Sequence, residues 1–125
     1  MKLIDISDQM YRNAWAKSRD YKKKKMEVSI SDILGEEIFY TLFDDPACIF
    51  AVRTKQCDYE PLPHHECKVH KSELLGGFDA YAFIRISEDG KRAWFLGTIS
   101  KMEFFAKATL EKDFYKLKIG DLNGQ

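Results

Sequence analysis

Two spacings of apolar residues divide the chain. Up to about Phe43 they recur every three to four residues, the mark of a helix; from Cys48 onward they alternate, the mark of a strand. Ser7 or Asp8 is placed to cap a first helix running to about Tyr21, with Met10, Ala14 and Tyr21 near one face and Tyr11 and Trp15 flanking it. Ser29 or Ser31 caps a second, in which Ile30, Ile33, Leu34, Ile38, Leu42 and Phe43 form a broad apolar stripe. That helix should stop at Asp44-Asp45-Pro46, because a proline pushes the residue before it out of the helical region.

Cys48 to Lys55 is rich in β-formers and is predicted to be a strand. After Pro61 and Pro63, the stretch His64 to Lys71 alternates. His64, Glu66, Lys68 and His70 share one face; His65, Cys67 and Val69 share the other. Leu75-Gly76-Gly77 marks a turn. Asp79 to Ser87 and Arg92 to Ile99 are two strands joined through Glu88-Asp89-Gly90, a hairpin signal. Ser100-Lys101-Met102-Glu103 has the form of a capping box and opens a helix through Phe104, Phe105 and Ala108. Phe114 to Ile119 is the last predicted strand. This order predicts an α+β fold, a mixed and mostly antiparallel central sheet flanked by helices. One domain spans residues 1–125, with residues 1–28 as an N-terminal helical extension.

Composition narrows the functional classes. Of 125 residues, 45% are hydrophobic and 14% aromatic, enough for a real core. Twenty Lys and Arg offset twenty Asp and Glu, so the net charge is zero. A dedicated nucleic-acid binder is usually basic overall. Here any nucleic-acid site must be a local patch, with weak long-range steering. The run Lys22 to Lys25 reads either as a solvated helix end suited to the dipole or as a phosphate-contacting patch, and the first is the simpler. Three cysteines, Cys48, Cys57 and Cys67, argue against a disulfide framework and for a reducing compartment. Met1 to Ile6 has neither the apolar run of a signal peptide nor the length of a membrane span. A cytoplasmic chain with no membrane contact is expected.

Two stretches carry a resemblance. Ala80-Tyr81-Ala82-Phe83-Ile84-Arg85-Ile86, followed by Trp94-Phe95-Leu96-Gly97-Thr98-Ile99-Ser100-Lys101, resembles the hairpin and following turn of small phage-encoded proteins of the PD-(D/E)XK nuclease superfamily, with Thr98 where those proteins have Trp. Pro61 to Val69 is similar to a segment they place after their central strand, and Gly35-Glu36-Glu37-Ile38-Phe39 to their first core helix. The likeness covers roughly residues 29 to 110. It implies a restriction-endonuclease-like fold and metal-dependent DNA cleavage, with magnesium or manganese held by carboxylates and a lysine two residues beyond the second acid. It also implies a phage or mobile-element origin and a host-cell location.

That signature has two placements. In the first, Ala51-Val52-Arg53-Thr54-Lys55 stands where the family has acid-x-Lys-Thr. Ala51 cannot bind a metal, Arg53 keeps charge but cannot act as a base, and Asp44 or Asp45 is the sole remnant of the first acid. In the second, Asp58 and Glu66 are the metal ligands, Lys68 completes the Glu66-Cys67-Lys68 triplet on one strand face, and Glu36 adds a carboxylate from the second helix. Glu66 and Lys68 read equally as the polar face of an amphipathic strand. A third constellation, Cys57, His65 and Cys67, has zinc-ligand chemistry, although its spacing fits no standard motif. The aromatic residues Phe78, Tyr81, Phe83, Trp94, Phe95, Phe104 and Phe105 suit core packing better than base stacking. Two functions follow from the resemblance. One is a metal-dependent DNA nuclease. The other is a nuclease-like binding protein without catalysis, such as a phage accessory or anti-defence inhibitor acting on protein or nucleic acid.

Overall fold

Ser7 and Ser29 start the two long helices. Ser7 Oγ accepts from Met10 N at 3.2 Å and opens α1 (Asp8–Lys23); Ser29 Oγ accepts from Asp32 N at 3.1 Å and opens α2 (Ile30–Leu42). Asn13 and Lys17 of α1 both bond the Glu37 carboxylate of α2, at 2.8 Å each, and fix the pair side by side. The structure, a computed structural model, describes residues 1–43 and 47–124. Asp44, Asp45 and Pro46, where the second helix was expected to stop, lie outside the described residues.

The helix pair covers one face of a four-stranded sheet. Its strands are β1 (Lys2–Asp5), β2 (Phe50–Cys57), β4 (Ala80–Ser87) and β5 (Arg92–Ser100), in the order β1-β5-β4-β2. The expected hairpin is present: β4 and β5 pair antiparallel. β2 runs parallel to β4, with Lys55 opposite Arg85, so the sheet is mixed. A parallel pair needs a crossover. Here the crossover carries β3 (Glu66–His70) and a short 3-10 helix, Lys71–Leu75. On the far side of the main sheet, β3 pairs with β7 (Phe114–Lys118), which pairs with β6 (Thr109–Glu111). This second sheet and α3 (Lys101–Lys107) cover the other face.

The core therefore has two compartments, one on each side of the main sheet. Ile33, Leu34, Ile38 and Phe39 of α2 meet Val52, Ala82, Ile84 and Phe95 on one side. Tyr81, Phe83, Leu96 and Phe104 meet Cys67, Val69 and Leu117 on the other. Of the predicted core aromatics, Tyr81, Phe83, Trp94, Phe95 and Phe104 are buried, and Phe78 and Phe105 are half-buried against the second compartment. Between Phe83 and Ile84 the β4–β5 register shifts, so Leu96 has no direct partner on β4. Gly97 beside it has φ 139°, open to glycine alone at little strain. The extra residue changes which β5 positions face which core: Leu96 and Ile99 both join the second compartment.

Three expectations need correction. Residues 1–28 are not purely a helical extension, because Lys2–Asp5 pairs with β5 as a sheet edge. Four residues give too short an alternation to stand out from the sequence. The third helix ends at Lys107, and Thr109–Glu111 forms β6 in a second sheet that was not anticipated. The capping box is half made: Ser100 Oγ accepts from Glu103 N at 3.1 Å, while the Glu103 carboxylate goes to Lys107 and Asn123.

Two substitutions test this arrangement. Ser100→Ala should cost about 1 kcal/mol through loss of the cap, read as a lower urea midpoint at unchanged slope. At Gly35, where α2 crosses β2, an added Cβ would collide with Thr54 Oγ1 and sit 2.9 Å from Thr54 Cβ. Gly35→Ala should therefore cost about 1–3 kcal/mol despite the better helix propensity of alanine, and a neutral or stabilising result would contradict the close helix–strand approach.

Candidate functional site

Strand β4 is buried at every residue. Within it, Arg85 is the one charged side chain, and it is only 5% exposed. Burying a guanidinium is costly unless an anion or a full set of acceptors compensates. Arg85 makes one hydrogen bond, from Nη2 to the Glu66 carbonyl at 2.9 Å, and no ion pair among the described residues. A guanidinium has five donors. The one sealed side-chain polar atom without a partner among the described residues is Thr54 Oγ1, so the remaining Arg85 donors are not enclosed. They reach a groove where β3 passes the outer edge of β2.

The groove gathers cations. Lys55, the register partner of Arg85, lines it, as do Lys68 and Glu66 of β3. Lys55 and Lys68 are exposed and form no ion pair among the described residues. Arg53 also lines it, but is held by Glu73: Nε donates to Oε1 at 2.7 Å, and Nη2 lies 2.5 Å from the same oxygen. Buried Tyr81 donates to that oxygen at 3.2 Å. Burial, reinforced by Glu73, pushes the Tyr81 phenol above its ordinary value, so it stays a donor. The groove comprises a cavity of about 150 Å³ between β2, β3 and β4 and a second of about 260 Å³. Lys55, Glu66, Lys68 and Arg85 line both; Tyr59, His64 and His65 line the larger.

The residues singled out by sequence are distributed unevenly. Glu66 and Lys68 project from the exposed face of β3 and share the groove, while Cys67 between them points into the core. Asp58 lies just past β2 and opens onto a different cavity with Glu60, Glu88, Asp89 and Arg92. Glu36 sits on α2, within the fields of Lys17, Asp32 and Arg53; burial, the largest influence, raises its carboxyl above the usual range. Among the described residues, no three His, Cys, Asp or Glu side chains are grouped to hold a metal ion. Asp58 and Glu66 line different cavities, and Glu36 lies on α2, so the structure does not bring the three carboxylates together. Cys57 and Cys67 are buried in the second core, where desolvation pushes the Cys67 thiol up to about 12 in the metal-free chain. His65 Nδ1 accepts from Leu62 N at 3.0 Å, which leaves only Nε2 for any ligand.

Arg85 and Lys55 were not singled out in advance. The signal was present as one arginine inside the otherwise uncharged run Ala80–Ser87. The chain matches no protein-family model, no curated protein and no solved structure. No helix among the described residues is long and apolar enough to cross a membrane.

Thiol chemistry checks the burial around the groove. Cys48 is half-buried, whereas Cys57 and Cys67 are enclosed with raised thiol values. A disulfide-exchange reagent at mildly alkaline pH should titrate Cys48 first in the native chain and all three thiols only in denaturant. Rapid native reaction at Cys67 would show that β3 does not seal the second core.

Proposed function

We propose that this chain is a nuclease-like binding domain that grips the phosphate backbone of nucleic acid in the groove between β2 and β3, without cutting it. One observation carries the reading: Arg85 is buried with a single hydrogen bond and no ion pair among the described residues, next to Lys55 on the adjoining strand, in a groove that Lys68 also lines. Neighbouring cations repel, and an arriving phosphate relieves that repulsion while taking the free guanidinium donors. A nuclease-like relationship is supported by the parallel β2–β4 pair followed by the β4–β5 hairpin and α3. On it, Ala51 and Arg53 fall where the family has its metal-binding acid and lysine, and Glu73 ties Arg53 down. That combination favours binding over hydrolysis.

Fluorescence anisotropy with labelled oligonucleotides tests this. One or two phosphates held by these cations predict an affinity that falls with salt at a log–log slope of about −1 to −2. Lys55→Gln/Lys68→Gln should weaken binding at least tenfold and flatten the slope, with the thermal midpoint little changed because both side chains are exposed. No binding at low salt would overturn the reading.

The nuclease reading keeps one observation in its favour: Glu66 and Lys68 share an exposed strand face and the same groove. If the chain cleaves DNA with magnesium or manganese, Glu66→Gln should abolish cleavage and leave binding intact or tighter. Undiminished cleavage by Glu66→Gln would remove Glu66 from the chemistry, and no cleavage by the parent chain would leave the binding reading alone.

A further inference from the structure

Beside the cationic groove lies a ring cluster that core packing does not explain. Tyr59 is 58% exposed, and its ring stands edge-on to His65, centroids 5.4 Å apart. His65 in turn meets His64 at 4.7 Å. All three line the larger cavity together with Lys55, Lys68, Arg85 and one carboxylate, Glu66.

The loop that carries the histidines is firmly held although it lies at the surface. His65 N donates to Leu62 O and Leu62 N donates to His65 Nδ1, both at 3.0 Å. Gly120 N donates to Pro63 O at 2.9 Å, and Ile119 N donates to His65 O at 2.8 Å. Pro61 and Pro63 remove further backbone freedom, and Pro61 is buried. Exposed aromatic rings on a pre-organised loop cost little entropy to bind against.

We infer that the groove takes single-stranded nucleic acid, one phosphate seated on Arg85 between Lys55 and Lys68 and an adjoining base against the Tyr59–His64–His65 cluster. This rests on the backbone-binding reading above and adds a strand form to it. In a duplex the bases are paired and stacked, so their faces are closed to a protein ring; in a single strand they are free. The cationic surface is also short. Three unpaired cations at one groove suit one or two phosphates of a flexible strand better than the extended track of a duplex. A net charge of zero gives no wider field to hold a rigid rod.

The test compares three labelled probes of equal length with the full chain: a thymine single strand, a duplex, and an abasic strand that keeps the phosphates without the bases. The thymine strand should bind about tenfold tighter than either of the others. Tyr59→Ala should remove that advantage while leaving abasic binding unchanged; Tyr59 is exposed, so its loss is not expected to unfold the chain. Lys55→Gln/Lys68→Gln should weaken all three probes together. Arg85→Lys, checked for folding by circular dichroism, should weaken the single strand at least as strongly, and a folded Arg85→Lys that binds normally would overturn the phosphate seat. Equal binding of all three probes, or a Tyr59→Ala without effect, would overturn the base contact and leave backbone binding standing. No binding by any probe would sink both.

Discussion

Strand β4 is enclosed from four directions. β2 and β5 take its two edges, the α1–α2 layer covers one face, and the second sheet with α3 covers the other. A strand in that position is the costliest place in the domain for a charge. Seven of its eight residues carry no charge, and Arg85 is the exception. The placement of β3 follows from the same constraint. It must cross the main sheet to seal Cys67 and Val69, yet it leaves the guanidinium an outlet at the edge of β2.

The charge of the groove is local, and the network around it sharpens that. Glu73 neutralises Arg53, and Tyr81 reinforces Glu73 from the buried side. What remains there without an ion pair among the described residues is a compact set, Lys55 and Arg85 on paired strands of the main sheet and Lys68 on β3 of the second sheet. A chain with equal numbers of acids and bases can still concentrate positive potential: in the groove Glu66 is one carboxylate among these three cations, and several others are engaged elsewhere. Here Glu37, Glu103 and Glu111 are engaged by Lys17, Lys107 and Lys116, and Asp58, Glu88 and Asp89 collect around a separate cavity.

Local patterns in the sequence were legible and long-range ones were not. Ser7, Ser29 and Ser100 announced three helix starts because a cap is a contact within three residues. The hairpin was visible because its partners are neighbours in sequence. By contrast, Lys2–Asp5 finds its partner about ninety residues further on, and Thr109–Glu111, although it pairs with neighbouring β7, is three residues long and exposed throughout, so it carries no alternation to read. For the groove, alternation placed Glu66 and Lys68 on one face correctly. It could not reveal that Arg85 lies beside Lys55, since parallel register is set by a crossover whose path no short window contains.

The pairing of β1 with β5 also has a kinetic side. Lys2 and Phe95 are partners about ninety residues apart, and the whole crossover lies between them. Closing so long a loop carries an entropic barrier that must be met before its contacts return anything, whereas α1, α2 and the β4–β5 hairpin form from near neighbours. On loop-closure grounds this pairing is the most costly in the main sheet to form, and without it β5 offers an open, apolar strand margin to any other chain. Once paired, Lys2–Asp5 covers the β5 margin, so a four-residue strand removes an apolar edge that the finished domain would otherwise offer to other chains.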